Sequence, residues 1–381
     1  MGAFMVPHPP IIIEEIGHRR EKGIEPIINA YAEVANLVCE LQPETIVFIS
    51  PHSTSYSDYF HISGGIIAKG NFGEFGHPEL GFQKEIDQSF VSMLHQFCQE
   101  HYFPAGTLGE KNTVLDHGIM VPLYFFEQKY KAFQIVIIGV TNESYETHYR
   151  MGEIIQEVSK QLDKKIVVVA SGDLSHKVND HSPYGFHFSG PRYDEKIMEI
   201  MEHMEFQDLF DFSKEFCESA AECGHRPFVC LAGALNKKEL TCPITAYASP
   251  YGVGYGICAY LVTGDNLKRN LLDQSKNIHE LELRHLETKT VVDEYVNLAR
   301  SSLHYFLLTH KKLPVKETFL EEMLTSKAGV FVSIKKRGVL RGCIGTIEAR
   351  QNSIAEEIIE NAIQAGFSDP RFPPVIPHEL D

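Results

Sequence analysis

The chain has no CxxC pair among its eight cysteines, no extended basic block, and no apolar run near the roughly 20 residues that a membrane-crossing helix needs. The scattered cysteines, at 39, 98, 217, 223, 230, 242, 258 and 343, argue against a zinc ribbon or a disulfide framework. They read as small buried hydrophobes in a reducing compartment. A net charge of −16 with no basic block argues against nucleic acid as a partner, because that binding draws on clustered cations. The opening Met1-Gly2-Ala3-Phe4-Met5-Val6 lacks the basic start of a secretion signal. These absences lead us to expect a cytoplasmic protein that engages neither nucleic acid nor membrane. What is present is ordinary for a globular chain of 381 residues, with 43% hydrophobic and 23% charged residues. Histidine is the unusual component, with 19 copies, several of them next to apolar runs.

Short runs rich in Val and Ile alternate with longer segments of helical period. Ile46–Ile49, Ile135–Val140 and Ile166–Ala170 read as buried strands, and 25–40, 84–100, 146–162 and 192–203 as helices. Residues 244–262 read as closing strands around a glycine-rich bend. The alternation predicts an α/β domain with a mixed central sheet flanked by helices. A polar stretch at 263–284 is read as a linker between a domain at 1–262 and a smaller α+β domain at 285–381. In that second part a helix at 289–309 presents a stripe of Val292, Tyr295, Val296, Ala299, Leu303 and Phe306. A hairpin at 329–347 turning through Lys335-Lys336-Arg337-Gly338 and a helix at 353–365 follow. Cys343 lies in the second arm of the hairpin and reads as a buried strand cysteine rather than a nucleophile, since no adjacent base is visible. The glycines of Gly70-Asn71-Phe72-Gly73-Glu74-Phe75-Gly76 fit no phosphate-binding spacing and read as a surface loop.

Four histidines stand where a sheet would deliver them: Pro7-His8, Pro51-His52, Asp116-His117 and Ser175-His176. In open α/β sheets the ligand crevice lies beyond the carboxyl ends of the strands. Proline restricts a turn, which suits a residue that must be held to a fraction of an ångström. Two histidines and one carboxylate on one face form the triad of non-haem Fe(II) oxygenases. Glu222, in Glu222-Cys223-Gly224-His225, is the carboxylate expected to join His8 and His52. Cys223 and His225 are rival ligands, and a thiolate would favour copper or zinc.

The pieces Val6-Pro7-His8-Pro9-Pro10, Ser50-Pro51-His52, Leu115-Asp116-His117-Gly118 with Val121-Pro122-Leu123, and Ser171-Gly172-Asp173-Leu174-Ser175-His176 occur in that order. In this the chain resembles the LigB-type class III extradiol ring-cleavage dioxygenases and the related Memo family. Val339-Leu340-Arg341-Gly342-Cys343-Ile344-Gly345 and Phe367-Ser368-Asp369-Pro370-Arg371-Phe372 resemble the first half of an AMMECR domain, so the chain reads as a truncated form of that domain. Chains joining the two resemble the AmmeMemoRadiSam system protein A family. The resemblance implies an Fe(II)-dependent oxidoreductase acting on a small aromatic diol and O₂. His8, His52 and Glu222 would be the metal ligands and His176, His117 and Asp173 the catalytic residues. His176 would be the acid/base, and His117 would hydrogen-bond the substrate or its oxygen adduct. It also implies, as an alternative, a Memo-like copper or zinc redox protein or metallohydrolase working with a radical SAM enzyme or a Memo-like partner, and a homo-oligomer as one form of assembly. A separate reading is a non-catalytic interaction module that keeps the fold and binds a partner in the pocket.

Overall fold

The computed structural model describes residues 1–111, 113–272, 294–315, 319–336 and 339–375. The chain divides into two units, 1–277 and 278–381. In the first, the described strands of the central sheet are β1 (Gly2–Val6), β2 (Thr45–Ser50), β3 (Gln134–Gly139), β4 (Ile166–Ser171), β5 (Lys238–Ala248) and β6 (Tyr255–Asp265). Their order is β3-β2-β4-β1-β6-β5. The first four are parallel to one another, and β6 and β5 run antiparallel at one side. The sheet is therefore mixed, as the alternation of apolar runs predicts. Every residue of β1, β2 and β4 is buried, which is why these strands are continuous apolar runs rather than alternating ones.

Among the described residues the longer helices of this unit are α1 (Glu25–Leu41), α2 (Gln88–Glu100), α3 (His117–Phe126), α4 (Tyr145–Gln161), α5 (Ser189–His203), α6 (Lys214–Ala220) and α7 (His225–Ala234). Phe4 and Met5 are consecutive on β1 and so face opposite ways. A side chain at Gly2, on the Phe4 face, would meet Leu41 of α1, while Met5 lies near Met198 of α5, so helices flank both faces. Helices α4 and α7 touch backbone to backbone. A Cβ on Gly152 would lie 1.9 Å from the Cys230 carbonyl oxygen, and one on Gly233 1.9 Å from that of Tyr149.

Strand β4 comes late in the chain but inserts between β1 and β2. Its last residue pairs with Val6, and Ala170 pairs with Ile49, so the carboxyl ends of the three strands lie level. The chain leaving β4 therefore runs between the turns carrying His8 and His52. Some elements differ from expectation. Residues 84–87 are not helical, because Ile67–Phe72 and His77–Glu85 form a hairpin with a short helical tip at Gly73–Phe75. Strand β6 runs on to Asp265, past the expected start of the linker, and 273–293 lie outside the described residues.

In the second unit α8 (Glu294–Thr309), α9 (Glu321–Thr325), β7 (Phe331–Lys336), β8 (Val339–Gly345) and α10 (Ile354–Phe367) are described. Lys335 and Lys336 pair with β8 instead of turning. Tyr295, Ala299 and Phe306 pack on the core around Ile358 and Ile359, and Leu303 on a smaller one with Val375, while Val296 stays exposed. Val292 lies outside the described residues. Ser333 Oγ is 3.1 Å from Cys343 Sγ across the two strands. Among the described residues no helix is long and apolar enough to cross a membrane.

Candidate metal centre

The site lies beyond the level ends of β1, β2 and β4. His8 follows β1, and its turn is fixed from below by Tyr31, whose hydroxyl donates to the Pro7 carbonyl. His52 follows β2, and His117 is the first residue of α3. Their ligating atoms all lie within 4.8 Å of one another. Nε2 of His8 is 3.0 Å from Nε2 of His52, and the His52 and His117 rings are 4.2 Å apart. His8 is buried, His117 half-buried and His52 exposed, so the group is reached from solvent on the His52 side.

The proton positions follow from the partners. Ser171 Oγ donates to the Gly118 carbonyl at 2.5 Å, which uses its one proton. It can then only accept from Nδ1 of His8, 2.9 Å away. The His8 Nε2 therefore carries a bare lone pair, aimed at His52. Burial, and then the like charges of His52, His117 and His176, hold His8 well below the ordinary imidazole pKa. His52 and His117 are lowered as well, chiefly by burial. Converging neutral nitrogens with an outward lone pair are the donor set that a divalent transition metal takes.

Asp116 ties His52 to His117. It is the residue before α3, where an aspartate commonly caps the helix, yet its side chain makes no cap bond. It accepts instead from Ser50 at 2.8 Å and Ser53 at 2.5 Å, on either side of Pro51-His52. Asp116→Ala is expected to weaken metal binding about 10- to 100-fold, as loss of a supporting shell around ligands does. Isothermal titration with Zn(II) would measure it, and an unchanged affinity would remove Asp116 from this role.

The third group is the chain leaving β4. Asp173 accepts the His8 backbone N–H at 2.8 Å, and burial raises its carboxyl to about 6 against the pull of the His176 and His52 charges. His176 donates Nδ1–H to the Ala221 carbonyl at 2.7 Å, which leaves Nε2 as the free base nitrogen. Tyr184 stands beside that ring, with centroids 6.1 Å apart, and Phe75 of the hairpin tip stands 5.7 Å from His117. The glycine-rich stretch at 70–76 thus borders the site with an aromatic ring.

Two expected ligands are elsewhere. The Glu222 carboxylate does not reach the histidines, because it accepts the backbone N–H of His225 at 2.6 Å, at the start of α7, and also bonds Gly224 and Tyr193. His225 is buried with Nε2 on the Leu209 carbonyl at 3.0 Å, and burial lowers it to about 3. The fold turns both inward to seat a helix end. Cys223, between them, points the other way. Its Sγ lies 3.6 Å from His8 Nε2 and receives the Asp173 backbone N–H at 3.2 Å. Burial and the charges of Asp173 and Glu222 push its thiol up, so ionising it as a ligand needs a cation beside it.

Asp194 of α5 and Tyr247 of β5 were missed in the sequence, where nothing in their surroundings distinguishes them. Asp194 accepts the Ser175 N–H and the Tyr247 hydroxyl, both at 2.8 Å, and so anchors the segment leading to His176. Burial raises its carboxyl from 3.8 to about 7. Between about pH 4 and pH 7 the folded chain holds a proton that the unfolded chain has released, so stability falls as pH rises through that window. Glu222, raised to about 7, and Asp173 act in the same sense. Asp194→Asn is expected to give a shallower fall in Tm from pH 4 to pH 7, by up to a few kcal/mol in stability, on the order of 1.4 kcal/mol per pKa unit. Thermal melts across that range would show it, and an identical slope would refute it.

This fold and site define a class: the chain belongs to the family described as the catalytic LigB subunit of aromatic ring-opening dioxygenase, which it matches over residues 2–258. Residues 296–381 match AMMECR1. A protein of Clostridium acetobutylicum is 35% identical over 387 residues, spanning all of this chain and 82% of the clostridial protein. A MEMO1 family protein of Methanocaldococcus jannaschii is 26% identical over 213 residues, 55% of this chain and 66% of that protein. The crystal structure of an uncharacterized Escherichia coli K12 protein covers 68% of this chain and 99% of its own, at 14% identity and a TM-score of 0.44.

Proposed function

We propose that the first unit is a metal-dependent oxidoreductase of the extradiol dioxygenase type. In this reading Fe(II) is held by His8, His52 and His117, with an aromatic diol or a related small molecule and O₂ as substrates. The observation that carries the reading is the His8 lone pair turned by Ser171 into a cluster of neutral imidazoles. A bound Fe(II) supplies O₂ activation and a path for electrons from the substrate. The chain's own residues do the rest. His176 presents a bare Nε2, held by its Nδ1–H bond to Ala221, and takes the proton from a substrate hydroxyl. Phe75 beside His117 and Tyr184 beside His176 supply aromatic surface next to the site, which suits a flat substrate. Asp173 fixes the His8 backbone.

A second reading, a Memo-like copper or zinc centre, is favoured by one specific observation: the Cys223 sulfur accepts a backbone N–H and lies beside His8 Nε2. One experiment separates the two. Chain purified without oxygen is loaded with Fe(II), Cu(II) or Zn(II), its metal content is measured, and O₂ uptake is followed with a panel of catechols. The first reading expects His117→Ala to lose Fe(II) and Cys223→Ala to keep it, with diol-dependent O₂ uptake. The second expects the reverse for copper or zinc. A wild-type chain that retains none of the three metals sinks both. A cytoplasmic setting, a self-associated form and a radical SAM or Memo-like partner are further parts of the proposal.

A further inference from the structure

Pro122 sits inside helix α3, fully within its apolar side. A proline has no N–H, so the carbonyl four residues back loses its helical partner. That carbonyl belongs to Gly118, and it is the one that receives the Ser171 hydroxyl at 2.5 Å. The group is buried at both ends, since Gly118 and Ser171 are both buried, so an unfilled carbonyl there would cost free energy. Ser171 fills it and is thereby committed as a donor. Its oxygen is left to accept, and the nearest donor is Nδ1 of His8 at 2.9 Å.

We propose that Pro122 is a positioning residue for His8: by emptying the Gly118 carbonyl it fixes the direction of the Ser171 hydroxyl, and through it the imidazole tautomer that leaves Nε2 bare. The inference rests on the metal-centre reading for its purpose, but its physical content concerns the chain alone. It also gives Val121-Pro122-Leu123 a reason to follow His117. A helix start that must carry one histidine is also made to orient another through a single missing N–H. Gly118 adds to this, since a Cβ there would lie 2.4 Å from Ser50 Oγ and 3.4 Å from His8 Nδ1.

The test is the tautomer of His8 in metal-free full-length chain, read from ¹⁵N shifts and couplings of the imidazole. Wild type is expected to hold the proton on Nδ1. Pro122→Ala restores an N–H to Gly118 and releases the Ser171 proton, which can then point at Nδ1. The tautomer ratio is expected to move towards the Nε2–H form by about fivefold, the weight of one ordinary hydrogen bond. Ser171→Ala removes the acceptor outright and is expected to move it further. In the Ser171→Ala background, adding Pro122→Ala is expected to change nothing more, because the two act in series. An unchanged His8 tautomer in folded Pro122→Ala chain, or additive effects in the double variant, overturns the proposal. Should Pro122→Ala fail to fold, Ser171→Ala still decides: a His8 that stays Nδ1-protonated in it overturns the relay. Zn(II) titration of the wild-type chain is run alongside. A chain that binds no metal sinks the functional reading while the tautomer result stands by itself.

Discussion

Replacing His8 by alanine is expected to lower affinity for divalent metal by more than about 100-fold, beyond the 10- to 100-fold typical of losses around a ligand set. His8 is the central member. Its ring lies 4.7 Å from that of His52 and 5.1 Å from that of His117, and its Nε2 faces both His52 Nε2 and Cys223 Sγ. Its lone pair also has a direction set by the protein. His52 is exposed and keeps more rotamer freedom, so His52→Ala is expected to lose less. Folding should survive the His8 change, because its backbone N–H still bonds Asp173 and the loss is confined to one side chain at the strand end. Calorimetric titration with Zn(II) and Fe(II), with circular dichroism as the folding control, measures the effect. A folded His8→Ala chain that retains one equivalent of metal at wild-type affinity would falsify the metal-centre reading.

Gly152→Ala is the change expected to damage the fold most for the fewest atoms. Alanine in a helix gains about 1 kcal/mol over glycine. Here the new Cβ would meet the Cys230 carbonyl oxygen at 1.9 Å and the Ala234 nitrogen at 2.5 Å, both backbone atoms of α7. Neither can swing aside like a flexible side chain, so α4 and α7 would have to part. Overpacking costs about 1–3 kcal/mol where side chains can adjust, and more where backbone must move. The clash therefore outweighs the propensity gain, with a net loss of roughly 3 kcal/mol and a fall in Tm on the order of 10 °C. Gly264→Ala is the comparison, since its Cβ would meet nothing nearer than Glu239 at 3.9 Å. Equal melting temperatures for the two variants would mean that the helices are not in backbone contact.

Helix α7 begins two residues after Cys223, which brings the Gly152 contact to bear on the site. Gly224 lies against Gly172, where a Cβ would approach the Gly224 Cα to 2.2 Å. A displaced α7 would carry the Cys223 turn away from Asp173 and His8.

Much of this was legible in the residues. The Val- and Ile-rich runs mark β2, β3 and β4, with only Val140 falling one residue past the end of its strand, because strands buried on both faces need apolar side chains at nearly every position. The Pro-His turns stood out for the reason they work, which is restricted backbone. Strand order was not legible: β4 inserts between β1 and β2 through pairings more than 100 residues apart in sequence, and local pattern carries no trace of that. The 67–85 hairpin was hidden because its strands are short of apolar residues and half exposed. Glu222 sits at a helix start and not among the histidines for a physical reason. An acid just before a helix has two suitors, a cation in the crevice and the free N–H groups of the helix start. His117 was recognised as functional but not as the third nitrogen of the group, since its direction depends on Asp116 gripping Ser50 and Ser53.

The five segments that meet at the site come from positions as distant as His8 and Cys223, 215 residues apart. On the metal-centre reading, a cation would favour the folded unit, in which His8, His52 and His117 meet, over the unfolded chain, in which they are apart. Such binding would add to the native state a stabilisation that grows with the logarithm of free metal concentration. Ion supply in the cell would then govern how long the protein persists as well as whether it can react.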